Sequence, residues 1–132
     1  MTRIDYLTAL TFAAAAAAVG APAQAASVQP FDQAVFAAAQ AEGRPILVDA
    51  HAGWCPICHL QAPTIAKLSQ DHAYDRLLIL RLDFDKQGAE KQALGIRMQS
   101  TLIAFKGRAE TSRSVGVTDP ARISALAQSA LN

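Results

Sequence analysis

The chain has 132 residues, of which 52% are hydrophobic and 17% charged, with a formal net charge of +1 at neutral pH. Charges so evenly balanced leave no electrostatic footprint for nucleic acid or for an anionic membrane surface, and neither partner is expected. The length suits one domain with a modest core and is too short for two.

In chain order, MTRIDYLTALTFAAAAAAVGAPAQAAS reads as a secretory signal peptide. Arg3 stands near the start, an apolar run extends from about Leu7 to Val19, and small residues follow, including Ala23-Gln24-Ala25. The run falls short of the roughly 20 residues that span a bilayer, and A-x-A is the pattern a signal peptidase cuts. Cleavage is expected after Ala25, which makes residues 1–25 a signal and residues 26–132 the exported domain, placed in the periplasm. The residue directly after the cut is not a cysteine, which argues against a lipid anchor. Removal of Arg3 and Asp5 leaves eleven basic and ten acidic residues, still +1.

After a short extended start at Val28 to Pro30, PFDQAVFAAAQAEG predicts a helix with Phe31, Val35, Ala38 and Ala39 on one face, stopped by Gly43. The apolar run ILVDA (46–50) suits a buried strand. A helix should open at Cys55 and reach about Gln70, carrying Ile57, Leu60, Ile65 and Leu68. RLLILRLDF (76–84) predicts a second buried strand, and GAEKQALG (88–95) a short helix closed by Gly95. STLIAF (100–105) and AETSRSV (109–115) flank Lys106-Gly107-Arg108 as the arms of a hairpin. Thr118 or Asp119 as N-cap, with Pro120 at the first helical position, begins a last helix that turns Ile123, Leu126 and Ala130 to the sheet. The order is α-β-α-β-α-β-β-α.

The chemistry concentrates in HAGWCPICH, His51 to His59. Cys-Pro-Ile-Cys-His fits a c-type haem attachment site, and its Cys-x-x-Cys fits a redox dithiol. Haem would need the motif in a mostly helical chain, with His59 as proximal and Met98 as distal ligand. Strand candidates on both sides of the motif argue against it. A structural zinc site needs four ligands, and beyond Cys55 and Cys58 the chain has only His51, His59 and His72, without a second paired spacing. Both cysteines enter an oxidising compartment. A bridge between them would close a loop too small to stabilise the fold much, so its use is chemical.

LVDAHAGWCPICHLQAP resembles the active-site strand, loop and helix of the thioredoxin family, with Asp49, Trp54, Cys55, Cys58 and Pro63 on the family's positions. ILRLDFD resembles its third strand, with Arg81 where a basic residue often sits. LGIRMQSTLIAFKG resembles the segment that leads into its hairpin, and VGVTD the glycine-containing end of that hairpin. The resemblance covers nearly all of the chain after the signal. It implies a thioredoxin-like α/β fold, a central mixed four-stranded sheet flanked by helices, with room for a short extra N-terminal strand.

At the start of a helix, Cys55 faces unpaired N–H groups and the positive end of the helix dipole, which stabilise a thiolate, so Cys55 is the expected nucleophile. Cys58, one turn further in, is the resolving thiol. Pro63 predicts a kink rather than a stop, since the apolar spacing resumes beyond it. By resemblance, Asp49 transfers the proton of Cys58, and Trp54 covers the disulfide and offers a surface to substrate. The substrate chain would pair beside Gln99, Ser100 and Thr101. His51 stands where the family usually carries a large aromatic and His59 where a lysine is common; either imidazolium, like Arg81, could tune the dithiol. Ser100 occupies the place of the family's cis-proline. The peptide before it should be trans, and the smaller side chain should leave the sulfurs more open.

The expected activity is thiol:disulfide exchange with protein disulfide or dithiol substrates, with the reductase direction favoured, a thiol redox partner at the membrane or in the periplasm, a monomeric state and no cofactor. The alternative is a metal-handling module that binds copper or an iron–sulfur centre through Cys55 and Cys58, with Ser100 or His51 as further ligands.

Overall fold

The computed structural model describes Ala17 and residues 27–132. Apart from Ala17, the expected signal peptide and its cleavage point lie outside the described residues. No helix among the described residues is long and apolar enough to cross a membrane.

The chain builds β1 (Val28–Pro30), α1 (Gln33–Ala41), β2 (Pro45–His51), α2 (Pro56–Gln70), β3 (Leu78–Asp83), α3 (Gly88–Ala93), β4 (Thr101–Lys106), β5 (Ala109–Val115) and α4 (Pro120–Ser129), with a short 3-10 turn at His72–Tyr74 between α2 and β3. The five strands lie in the order β1-β3-β2-β4-β5. β1 and β2 run parallel to β3, whereas β4 is antiparallel to both β2 and β5. This is the mixed sheet expected of the thioredoxin fold, with the extra N-terminal strand present.

Alternation along the central strands divides the core in two. On one side Leu47, Ile79, Leu102 and Ala104 pack with Ile65 and Leu68 of α2 and Ile123, Leu126 and Ala127 of α4. On the other, Ile46, Val48, Leu80 and Ile103 pack with Phe36 and Ala39 of α1. The central strands read as continuous apolar runs because both of their faces are covered.

Sequence cues set the helix ends. Asp32 caps α1 by accepting from the Val35 N–H, and Asp119 caps α4 by accepting from the Ala121 N–H, with Pro120 behind it. α2 runs unbroken through Pro63. Two expectations need correction. The buried residues of α1 are Phe36 and Ala39, and Val35 and Ala38 are exposed. With so many alanines the apolar spacing does not fix the phase of the helix, and the larger Phe36 takes the core, tilted against Phe31 and edge-on to Phe105. In α2, Ile65 and Leu68 are buried, but Ile57 and Leu60 face solvent, Leu60 at 61% exposure. The inward position of that stripe belongs to Gln61, which is fully buried.

Candidate active site

β2 delivers Asp49, Ala50 and His51 to the start of α2 through the turn Ala52 to Trp54. Cys55 is the N-cap of α2 rather than its first residue. Its main chain is extended, and its sulfur accepts from the Cys58 N–H at 3.1 Å. The usual capping oxygen is thus replaced by sulfur, and a donor at the positive end of a fifteen-residue helix stabilises negative charge on it. Pro56 occupies the first helical position, where a missing N–H leaves nothing unbonded.

Cys58 points back toward the sheet, its sulfur 3.9 Å from the Ala50 carbonyl oxygen. Burial and the adjoining Cys55 sulfur push its thiol up to about 11. Both cysteines are free thiols in a small cluster with Ala52, against which Phe84 packs. Each is only 1% exposed, which corrects the expectation of open sulfurs. The reason lies in the loop before β4. The Gln99–Ser100 peptide is trans, and Ser100 adopts a left-handed conformation with φ of 59°. That conformation directs its N–H to the Ala50 carbonyl at 2.9 Å, the oxygen that lies 3.9 Å from the Cys58 sulfur, which sets the Ser100 main chain beside the dithiol.

Asp49, 1% exposed, lies on the α2 side of β2. Its Oδ2 accepts from Arg81 Nε at 3.0 Å across the β2–β3 pair, and its Oδ1 has no partner. Burial raises the carboxyl above its ordinary range, against the pull of Arg81, whose guanidinium is partly solvated. His51 is held below its ordinary range by burial and by Arg81. His59 turns its Nε2 to the Gly53 carbonyl at 2.7 Å, with its ring 6.0 Å from that of His51. Trp54 lies open at 60% exposure, its indole N–H donating to Asp85 Oδ2 at 2.9 Å.

Asp49, His51, Trp54, Cys55, Cys58, His59, Arg81 and Ser100 therefore gather around the start of α2. Gln99 is half-buried and Thr101 buried, with the threonine hydroxyl donating to the Met98 carbonyl. Two contributors were missed in the sequence. Gln61 donates through Nε2 to the carbonyls of Ser100, at 3.2 Å, and Val117, at 2.8 Å, tying both loops to α2. Its signal was a polar residue interrupting the apolar stripe three positions after Cys58. Asp85, which fixes Trp54, lies in a turn after β3, and no local pattern marks it. Among the described residues, no group of three or more His, Cys, Asp and Glu side chains is placed to hold a metal ion.

The arrangement suits thiol–disulfide exchange: one sulfur capping a helix start and accepting its N–H, a second behind it held as a thiol, and a buried carboxyl on the strand that leads to both. The chain is similar to known proteins. The thioredoxin family model matches residues 23–129. A thioredoxin of Chlamydia muridarum is 37% identical over 92 residues, covering 70% of this chain and 87% of that protein. Thioredoxin-1 of Saccharomyces cerevisiae is 33% identical over 95 residues, covering 72% and 90%. The crystal structure of Trxlp from Edwardsiella tarda superposes with a TM-score of 0.72 at 39% identity, covering 75% of this chain and 96% of that one. The chain belongs to the thioredoxin family and carries out thiol–disulfide exchange through a dithiol, Cys55 and Cys58.

Proposed function

We propose that the protein is an exported, periplasmic, monomeric reductase of protein disulfides, recharged by a thiol redox partner in the periplasm or the membrane. Cys55 attacks the substrate disulfide and becomes joined to one of its sulfurs. Cys58 then attacks the Cys55 sulfur, which releases the substrate thiol and leaves the Cys55–Cys58 disulfide. Burial pushes the Cys58 thiol up, so it is protonated at neutral pH and release needs a base. Asp49 is that base. It is a buried carboxylate whose raised affinity for a proton suits the transfer.

The observation that carries this reading is the hydrogen bond from the Cys58 N–H to the Cys55 sulfur at the start of α2. It separates the two thiols into an attacking and a resolving group. The reductase direction is supported by His51. Strong oxidants stabilise the thiolate with nearby positive charge, but this imidazole is held neutral near pH 7 by burial and Arg81. Protein substrates are supported by the exposed Trp54, Ile57, Leu60 and Met98, apolar side chains on the first turns of α2 and the adjoining loops. Export is supported by the signal-like pattern at residues 1–25. Redox equilibration of the pure protein tests the direction. A potential near about −270 mV belongs with reductants, and one near about −120 mV would make the protein an oxidase.

A further inference from the structure

Two buried polar atoms on the site face of β2 have capacity left for a hydrogen bond: Oδ1 of Asp49 and Nδ1 of His51. The residues are two apart on one strand, so both side chains project to the same side. Buried groups of this kind are normally joined to one another or to an ordered water. Asp49 has no direct way out for a proton, since it is 1% exposed and its other oxygen is occupied by Arg81. His51 does. Its ring lines a groove of about 340 Å³, walled by Val28, Pro30, Gly53, Arg81 and Asp83 and roomy enough for several waters.

We propose that His51 relays the proton between Asp49 and this groove in each turnover. The inference rests on the reading of Asp49 as the base for Cys58. In the releasing step the Cys58 S–H gives its proton to the Asp49 carboxylate, and the Cys58 thiolate attacks the Cys55–substrate disulfide. The Cys55–Cys58 bond forms, the bond to substrate breaks, and the departing substrate thiolate takes a proton from water. The protein dithiol is oxidised and the substrate disulfide reduced. Because burial favours its protonated form, Asp49 must be brought to its anion before each release. It passes its proton to Nδ1 of His51, directly or through one water, while Nε2 releases one to the groove. A neutral imidazole suits this because one nitrogen accepts while the other donates.

The ring is kept neutral by its surroundings. Asp49 faces it from β2, Arg81 and Asp83 from β3, and His59 from α2, while β1 contributes only Val28, Gln29 and Pro30. Burial and Arg81 outweigh the two carboxylates, and the imidazole is lowered from its ordinary value. His51 is therefore a positioning and relay residue that acts through Asp49 without touching sulfur.

Single-turnover reduction of a disulfide-linked peptide by the full chain, quenched with acid, resolves mixed-disulfide formation from release. His51→Phe keeps a ring in place but carries no proton, and it should slow release about tenfold at pH 7, more than it slows formation, a loss below the roughly hundredfold or more of a directly acting base. His51→Ala should show the same loss and recover to within about twofold when imidazole is added, because a small base can then occupy the vacated space. The double variant Asp49→Asn/His51→Ala should be no slower than Asp49→Asn alone. Circular dichroism melts identify any variant that has unfolded, in which case His51→Gln takes its place. Wild-type release in His51→Phe, or no response of His51→Ala to imidazole, would overturn the relay. If Asp49→Asn slows release and His51→Phe does not, only the relay fails; if Asp49→Asn releases at the wild-type rate, the reading of Asp49 fails and takes the relay with it.

Discussion

The two ends of β2 are built on opposite principles. At the entering end Leu47 is wholly buried among the apolar side chains of Ile65, Ile79, Leu102 and Ile123. Two residues on, on the same face of the same strand, Asp49 is buried just as deeply, with one oxygen bonded to Arg81 and the other to nothing in the protein. Both positions are closed to water, yet one is satisfied by dispersion and the other holds a group whose anion burial disfavours. The first end supplies stability that the second consumes. That division places a poised carboxyl on the strand that leads to the two thiols without loosening the sheet around it.

The exit end is broken most completely at its sulfurs. Cys55→Ala should abolish turnover and capture no substrate. Cys58→Ala should also abolish turnover, but it should accumulate mixed disulfides through Cys55, visible by mass under non-reducing conditions. Capture by the Cys55 variant and not by the Cys58 variant would invert the two roles.

Asp49→Asn comes next. Release of substrate from the mixed disulfide should fall about a hundredfold near neutral pH, the lower range for losing a general base, with less effect on the first attack. Equal release rates in both proteins from pH 6 to 9 would return Asp49 to a structural role. Stability should move the other way. Because burial raises the Asp49 carboxyl in the folded chain, its contribution is fully present below the unfolded value near 3.8 and is lost as the pH rises through the folded value. The amide has no such loss, and Arg81 is exposed enough to find water. Thermal melts should therefore show the Asn variant gaining on the wild type as the pH climbs from about 4 toward neutrality. A gap between the two that stays constant over that range would mean that the folded carboxyl is not raised.

The entering end should respond in stability alone. Leu47→Ala opens a cavity in a layer with no slack and should cost about 3 kcal/mol, read from a shift of the denaturant midpoint. Exchange activity per folded molecule should be retained. Activity lost ahead of stability would mean that the two ends are coupled.

The same contrast explains what could be read in the sequence. The apolar runs of β2, β3 and β4, and the cap Asp119 with Pro120 behind it, were legible because their cues are local and are repeated by their neighbours. Cys55, Cys58 and Asp49 were legible because their spacing is fixed by one strand and one helix. The contacts that assemble the site across the chain were not. Gln61 reaches Ser100 and Val117 over separations of 39 and 56 residues, and Trp54 reaches Asp85 over 31. The buried state of the sulfurs was missed for a related reason. It depends on the backbone conformation of Ser100, and a serine does not announce a positive φ.

Ser100 supplies the smallest test, and it concerns how the exit end is closed. Its φ of 59° is the only positive value at a non-glycine residue among those described. For an L-residue the left-handed region costs about 1–2 kcal/mol through the approach of Cβ to the carbonyl. Four interactions hold the residue there. Its N–H donates to Ala50, its carbonyl accepts from the Gly116 N–H and from Gln61, and its hydroxyl turns back to the Gln99 carbonyl. Ser100→Gly removes the Cβ and keeps all three main-chain bonds, whereas Ser100→Ala keeps the Cβ and loses only the hydroxyl. The Gly variant should therefore be the more stable of the two by about 1 kcal/mol, although glycine loses more entropy on folding. Denaturant melts of the two variants side by side measure the difference. An Ala variant as stable as the Gly variant would mean that the left-handed turn is relaxed in solution. The sulfurs would then lose the cover that the Ser100 main chain provides, and Cys58 should become as easily alkylated as an exposed thiol.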